Sequence, residues 1–162
     1  MRIYIETSIP SFYYETRTDE RSQRVRNWTR RWWDERRGGH QLVTSLAALA
    51  ELARGEHPRQ DEKIALAESL RRVPITAEVD DTAARYIERK VMPDEELGDA
   101  YHFAAASHAN CDVLLTNNVA HLANPNKLDH IRQVNEELGL CVPALKTPQQ
   151  MIEDDSDGPS DD

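Results

Sequence analysis

The sequence predicts an α/β protein built on a central parallel sheet. Short β-branched or aromatic runs alternate with helical segments along the chain, and this alternation is typical of parallel strands joined by helices. The length of 162 residues is that of one ordinary domain. Neither an internal repeat nor a linker interrupts the pattern before the acidic C-terminus. We therefore expect a single α/β domain.

Five short apolar runs are predicted as strands or extended segments: 2–5, 41–44, 73–75, 112–116 and 140–142. The first run is followed by the polar segment 6–11, which contains Pro10 and predicts a loop at the carboxyl end of the strand. Because active groups in open parallel sheets lie beyond the carboxyl ends of the strands, this loop and the residues that follow 112–116 are expected on one rim.

Helical patterns connect these runs. They predict helices over 19–37, 46–54, 56–72, 80–91, 94–109 and 126–138, and a short closing helix that starts at Pro148. Ser45 is a suitable cap for the second helix, and Gly139 ends the helix over 126–138. We expect the domain to span 1–152 and the remaining residues, 153–162, to form a disordered acidic tail.

Composition excludes several functional classes. The chain has no G-x-G-x-x-G and no P-loop pattern, so dinucleotide and P-loop nucleotide binding are excluded. No apolar run is long enough to span a membrane, and the first residues lack the order of a secretion signal, so we expect a cytoplasmic protein with no membrane partner. The net charge of -9 is concentrated in the tail, which holds six acids and no base. A nucleic-acid partner is therefore not excluded.

The cysteine and histidine pattern does not predict a zinc site. Cys111 and Cys141 are far apart in sequence and form no C-x-x-C pair, so reduced thiols are expected. The spacing of Cys111 relative to the histidines fits no zinc pattern. We expect His102 and His121 to pack or form hydrogen bonds near the rim of the sheet.

Four short segments offer polar groups to the predicted rim. Glu6 follows the first strand, Glu51 interrupts an apolar helix, Asp99 lies in a helix of small residues, and Thr116 and Asn118 follow a buried strand. A carboxylate on an apolar helix face is costly unless it is paired or binds a metal. Carboxylates gathered at one place hold hard cations such as Mg²⁺ or Mn²⁺, and such ions promote phosphodiester hydrolysis.

Five motifs, in order, carry a resemblance to a known family: YIETSIPS (4–11), ELARG (51–55), GDAYHFAAA (98–106), DVLLTNNVAHLANPNK (112–127) and LGLCVPALKTP (138–148). In this order and spacing the chain resembles the PIN domain, and within it the VapC-like toxin ribonucleases of toxin–antitoxin pairs. The resemblance covers about residues 1–152. It implies a five-stranded parallel sheet flanked by helices, Mg²⁺- or Mn²⁺-dependent cleavage of RNA, inhibition by a small antitoxin protein, and a homodimer.

The resemblance also implies roles for individual residues. Glu6, Glu51 and Asp99 correspond to three metal-binding acids of the family, and Glu6 replaces the more usual Asp. Thr7 and Ser8 correspond to the polar residues after the first acid. Thr116 opens the fourth motif, and Asn118 stands where many members carry a fourth acid. The resemblance thus predicts that these acids, with Asn118 as a supplementary ligand, bind metal, and that Thr7 or Thr116 orients water or the scissile phosphate.

A helix rich in arginine suggests contacts with nucleic acid. Residues 17–37 hold eight arginines and four acids, interleaved with three tryptophans. We expect Arg30, Arg31 and Ser8 to contact RNA. The tryptophans either stack on RNA bases or form a packing stripe, in the core or against an antitoxin helix, and their position on one helix face favours the stripe.

Other interpretations of these residues stay open. Glu51 can instead pair with Arg54 at i+3, and Thr116 and Asn118 can simply close a turn. At the level of function, the alternatives are a non-catalytic or weakly active PIN-like module that binds RNA or a partner, and a phosphodiesterase directed at DNA.

Overall fold

A five-stranded, all-parallel sheet forms the centre of the protein. The computed structural model describes residues 1–88, 97–119 and 125–156. The strands are β1 (Arg2–Ile5), β2 (Gln41–Thr44), β3 (Arg71–Arg72), β4 (Val113–Leu115) and β5 (Ala144–Lys146). Their order in the sheet is β3-β2-β1-β4-β5, and every neighbouring pair is parallel. The predicted fold class is confirmed.

Helices connect and flank the strands. They are α1 (Ser8–Tyr13), α2 (Glu20–Arg36), α3 (Leu46–Ala53), α4 (Gln60–Glu68), α5 (Ala77–Glu88), α6 (Leu97–His108), α7 (Pro125–Leu138) and α8 (Pro148–Ser156). At the start of α2 the Asp19 carboxylate accepts a hydrogen bond from the Ser22 amide at 3.0 Å. No helix in the described ranges is both long and apolar enough to cross a bilayer.

Two local predictions in the first half of the chain were wrong. The segment 6–11, predicted as a loop, includes the first residues of α1. Pro10 is compatible with this helix because it lies in the first turn, where no backbone donor is needed. The run 73–75, predicted as a strand or an extended segment, is the link that follows the third strand. That strand is the exposed edge pair Arg71–Arg72, whose residues lack the apolar pattern of a strand. The helix predicted over 56–72 is therefore shorter and ends at Glu68.

The last strand also lies further along the chain than predicted. The apolar run 140–142 completes the end of α7 instead, since the Leu140 amide donates to the Asn135 carbonyl and the Asn135 amide side chain donates to the Cys141 carbonyl. The paired strand is Ala144–Lys146. At the C-terminus, α8 continues to Ser156, so the predicted disorder does not begin at 153. Residues 157–162 lie outside the described part of the chain.

The sheet separates two apolar clusters. Successive residues of β1 point to opposite faces, so Ile3 and Ile5 join one cluster and Tyr4 the other. The first cluster includes Trp32 and Trp33 of α2, and the second includes Phe103 of α6. Apolar packing therefore covers both faces of the sheet, and it positions the residues that follow the carboxyl ends of the strands.

The sheet order creates a crevice beside β1. The chain proceeds from β1 through β2 to β3 on one side and then returns to add β4 and β5 on the other. Such a change of direction is the usual position of a ligand site in an open parallel sheet. Glu6 and Thr116 directly follow the two strands that meet there, as predicted, and the Glu6 amide donates to the Leu115 carbonyl at 3.1 Å.

Candidate functional site

Two of the predicted acids meet at this crevice together with a histidine. Glu6, Glu51 and His102 each offer a ligand atom, and these atoms lie within 4.8 Å of one another. In the described ranges, this is the one such group of His, Cys, Asp and Glu side chains. The three residues come from the end of β1, from α3 and from α6, so distant parts of the chain meet here.

Glu6 is held rigidly by hydroxyl and amide donors. Its Oε2 accepts hydrogen bonds from the Ser8 amide at 3.0 Å, from the Thr116 hydroxyl at 2.7 Å, and from the Ser8 hydroxyl. The Glu6 residue is only 3% exposed. A buried carboxylate with several donors on one oxygen is fixed in orientation, and its second oxygen is left to serve as a ligand.

We call the hydrogen-bonded group of Glu6, Ser8 and Thr116 the Glu6 clamp. The loop after β4 is hydrogen-bonded to this clamp. The Asn117 amide donates to Ser8 Oγ at 2.8 Å, and the Asn118 amide donates to Thr116 Oγ1 at 3.0 Å. The Asn117 side chain donates to Thr29 Oγ1 in α2 at 3.0 Å. The Thr116 hydroxyl therefore both accepts and donates within the protein. It positions Glu6 and the loop, and its hydrogen-bonding capacity is largely used.

Glu51 is bound to His102. His102 Nε2 lies 3.0 Å from Glu51 Oε1, and His102 Nδ1 lies 2.6 Å from the Tyr4 hydroxyl, which is also 2.6 Å from Ser45 Oγ. This contact takes the place of the pairing with Arg54 that the sequence allowed. The network begins in β1 and at the start of α3, so the orientation of Glu51 depends on the packing of three elements.

Glu51 and His102 each stabilise the charged form of the other. Burial lowers the pKa of His102, but Tyr4, Glu51 and Glu6 together raise it well above its ordinary value. Burial raises the pKa of Glu51, but the hydrogen bond and charge of His102, helped by Thr7 and Arg54, bring it below its ordinary value. Glu51 is therefore an anion beside an imidazolium, and an imidazolium at this position offsets the repulsion between the two carboxylates.

Gly98 allows the close approach of Glu51 to α6. A Cβ atom at position 98 would lie 1.9 Å from Glu51 Oε1, so only glycine leaves room for the carboxylate in its present position. Asp99 follows directly and is partly buried in the first turn of α6, on the same helix face as His102 three residues later. Asp99 is not a member of the three-residue group.

The remaining predicted site residues occupy different positions. Thr7 Oγ1 lies 3.4 Å from His102 Nε2, so Thr7 belongs to the site, as Ser8 does through Glu6. Asn118 is exposed at the edge of the site, and its backbone amide donates a hydrogen bond to Thr116 Oγ1. Arg30 donates to the Tyr13 carbonyl at 2.7 Å, and Arg31 is exposed, with Nε 3.5 Å from the Glu35 carboxylate. Both arginines therefore already have local partners.

Sequence reasoning did not assign a role in the site to Tyr4, Ser45 or Asn117, although it placed His102 near the rim. Tyr4 faces the second cluster and carries a polar end, and Ser45 was expected only as a cap. The i, i+3 spacing of Asp99 and His102 was the available signal, because it places both on one helix face. His121 lies outside the described residues.

The donor set suits a hard divalent cation. Two carboxylates approach each other in a buried crevice, and one of them has an oxygen that the clamp does not use. Mg²⁺ and Mn²⁺ prefer carboxylate oxygens. Glu6 and Glu51 are thus the residues that can hold such an ion, with His102 and Asp99 beside them.

Comparisons with known proteins agree with this fold. The family model of the PIN domain matches residues 3–125. Among solved structures, one chain of the crystal structure of VapBC2 from Rickettsia felis, bound to a DNA fragment from its promoter, is similar with a TM-score of 0.58 and 15% identity, over 91% of this chain and 98% of that chain. The comparison with curated proteins gave no match. The chain therefore belongs to the PIN domain family.

Proposed function

We propose that the chain is a divalent-metal-dependent endoribonuclease that hydrolyses RNA phosphodiester bonds, as the toxin of a toxin–antitoxin pair. PIN domains are generally nucleases. The observation that carries the proposal is the meeting of Glu6 and Glu51 within 4.8 Å, at the crevice where ligands bind in open parallel sheets. Such an arrangement suits phosphodiester hydrolysis, because two carboxylates that hold a cation can bring it to an anionic substrate.

In this proposal Glu6, Glu51 and Asp99 hold Mg²⁺ or Mn²⁺, and Asn118 supplements them with its side-chain carbonyl. A bound divalent cation would lower the pKa of a coordinated water and offset charge on the phosphate. Asp99 fits this role because it lies next to Gly98, against which the Glu51 carboxylate packs. Asn118 fits because its loop is fastened to the Glu6 clamp.

The surrounding polar residues position the ligands. Ser8 and Thr116 orient Glu6, and His102 orients Glu51 through the hydrogen bond at 3.0 Å. Thr116 is fully buried and hydrogen-bonded on both sides, so its role is in positioning. Thr7 is less buried, and its hydroxyl, which contacts His102 and Glu51, is placed to orient a water or a phosphate oxygen.

A protein partner is part of the proposal. The similar solved structure is a VapBC2 complex, and this supports a small antitoxin that binds the chain and inhibits it. We further propose a homodimer, as the family resemblance implies, and a cytoplasmic location, where RNA is available. Both described cysteines are free thiols, as a reducing compartment requires. Light scattering of the purified chain, alone and with the product of a neighbouring small reading frame, tests these partners.

The nuclease proposal predicts that Asp99→Asn lowers RNA cleavage by at least about tenfold, because a ligand charge is lost. Single-stranded RNA and DNA of the same sequence are incubated with the chain in Mn²⁺, in Mg²⁺ and in EDTA. We expect cleavage of RNA, dependence on the added ion, and little cleavage of DNA. Asp81→Asn, an exposed acid of α5, is the matched control. Equal rates for Asp99→Asn and the control would remove Asp99 from the site, and cleavage in EDTA would refute the metal requirement.

A second prediction concerns the glycine beside Glu51. Gly98→Ala places a Cβ 1.9 Å from the present position of Oε1, and the flexible end of Glu51 must move away. We expect the affinity for Mn²⁺, measured by calorimetry, to fall roughly tenfold, while the melting temperature stays the same or rises, since Ala favours a helix. Gly38→Ala is the control, because a Cβ there meets no atom within 4 Å. Unchanged Mn²⁺ affinity in Gly98→Ala would show that the position of Glu51 does not matter for the ion.

A further inference from the structure

A small cavity adjoins the proposed metal site. Its volume is about 350 Å³, and its wall includes Thr7 and Glu51 from the site as well as Lys63 of α4. The other charged groups of the wall are Glu15 and Arg17. This cavity therefore connects Glu51 to Lys63, a basic residue for which the sequence predicted no role.

Among the lysines and arginines that the structure describes, Lys63 is the buried one. The residue is 8% exposed. Its ammonium lies 3.2 Å from His57 Nδ1. His57 Nε2 lies 2.9 Å from the Leu52 carbonyl, which can only accept, so Nε2 carries the hydrogen and Nδ1 is the acceptor for Lys63. One of the three N–H groups of Lys63 is used in this way, and within the described residues no carboxylate forms an ion pair with it.

The charges around the cavity leave Lys63 available to an anion. Glu15 accepts three hydrogen bonds from Arg17, at 2.9 Å each, so the charge of Glu15 is balanced locally. Glu51 is engaged with His102 and, in the proposed function, with the cation. Glu15 also attracts the Lys63 ammonium, but its carboxylate is hydrogen-bonded to Arg17. Within the described residues the buried ammonium therefore has no hydrogen-bonded anion, and a phosphate oxygen is a strong acceptor for it.

We propose that Lys63, held by His57, is a phosphate-binding residue that receives a phosphodiester of the substrate strand next to the cleaved bond. The proposal rests on the proposed nuclease function, since it assigns the cavity beside that site to the same strand. The geometry fits a single-stranded backbone, because the cavity is continuous with Thr7 and Glu51 and is too small for a duplex. Arg17 at the rim, already paired with Glu15, is a weaker second contact.

The test compares Lys63→Met, Lys63→Arg and Lys146→Met. Lys146 lies in β5 and pairs with Asp154, so it is a lysine control away from the cavity. Binding of a labelled single-stranded oligoribonucleotide is followed by fluorescence anisotropy in Ca²⁺, over a range of salt concentrations, and repeated with the matching DNA strand. For Lys63→Met we expect binding weakened roughly tenfold and a slope of log K against log salt reduced by about 0.7, the loss of one phosphate contact.

The controls separate a phosphate contact from a structural role. Lys63→Arg should restore much of the slope, Lys146→Met should leave it unchanged, and calorimetry should give wild-type Mn²⁺ affinity for Lys63→Met. If Lys63→Met does not fold, Lys63→Gln, which can still donate to His57, is measured in its place. An unchanged slope in the folded neutral variant overturns the inference. If the wild-type chain cleaves neither strand but the slope still falls, the phosphate site stands and the nuclease proposal fails.

Discussion

Replacement of Glu6 by Gln is expected to reduce RNA cleavage by on the order of 10²- to 10³-fold. The reason lies in the geometry of the clamp. The Ser8 amide, the Ser8 hydroxyl and the Thr116 hydroxyl all donate to Glu6 Oε2. An amide side chain can satisfy these three donors only with its oxygen, so its NH₂ group must turn toward the position of the cation. A donor then replaces a ligand, and the negative charge is lost.

The same variant should remain folded. Glutamine has nearly the same shape as glutamate and keeps the clamp, and it removes one of two carboxylates that approach each other in the crevice. We expect a melting temperature equal to or slightly above that of the wild type, together with a loss of Mn²⁺ binding in calorimetry. Loss of the metal without loss of stability would separate a ligand role from a structural role.

The control for this experiment is Glu68→Gln, because Glu68 is exposed on α4 and away from the crevice. It should cleave RNA at the wild-type rate. If Glu6→Gln cleaves RNA as fast as this control, Glu6 is only a strand-end acid that orders the loop after β4. If both Glu6→Gln and Asp99→Asn bind Mn²⁺ as the wild type does, the proposed metal centre is wrong as a whole.

The sequence predicted the position of the site because that position follows from topology. Glu6 and Thr116 stand directly after two buried strands, and parallel strands bring their carboxyl ends to one edge. Glu51 was recognisable because a single acid interrupts an apolar helix. These signals are local, and they depend on periodicity and on residue type alone.

The details that determine the geometry were not local. His102 bonds Glu51 only because α3 and α6 pack together and because Gly98 leaves room for the carboxylate. The edge strand Arg71–Arg72 is defined by its pairing with β2, since its own residues have no apolar pattern. Contacts between elements distant in sequence decide both features, and neither periodicity nor local propensity contains them.

The tryptophans of α2 are the subject of the second large effect, which concerns stability. Trp32 has no exposed surface and packs with Ile3 and Ile5 of β1 and with Met151 of α8. Removal of a buried tryptophan side chain leaves a cavity and costs about 3–5 kcal/mol. For Trp32→Ala we expect a melting temperature roughly 10 °C lower by calorimetry or circular dichroism.

Trp28 is the matched control because it lies on the same face of α2 but is only partly buried, with the Arg31 guanidinium 5.5 Å from its ring. Trp28→Ala should cost only about 1 kcal/mol. A large loss of unfolding free energy at Trp32 with a small loss at Trp28 means that the tryptophan stripe stabilises the core where it contacts β1 and α8. Only the outer end of the stripe, at Trp28, is then available to RNA or an antitoxin helix. Equal small losses at both positions would contradict this division, since a tryptophan that supports the sheet cannot be removed without a large loss of stability.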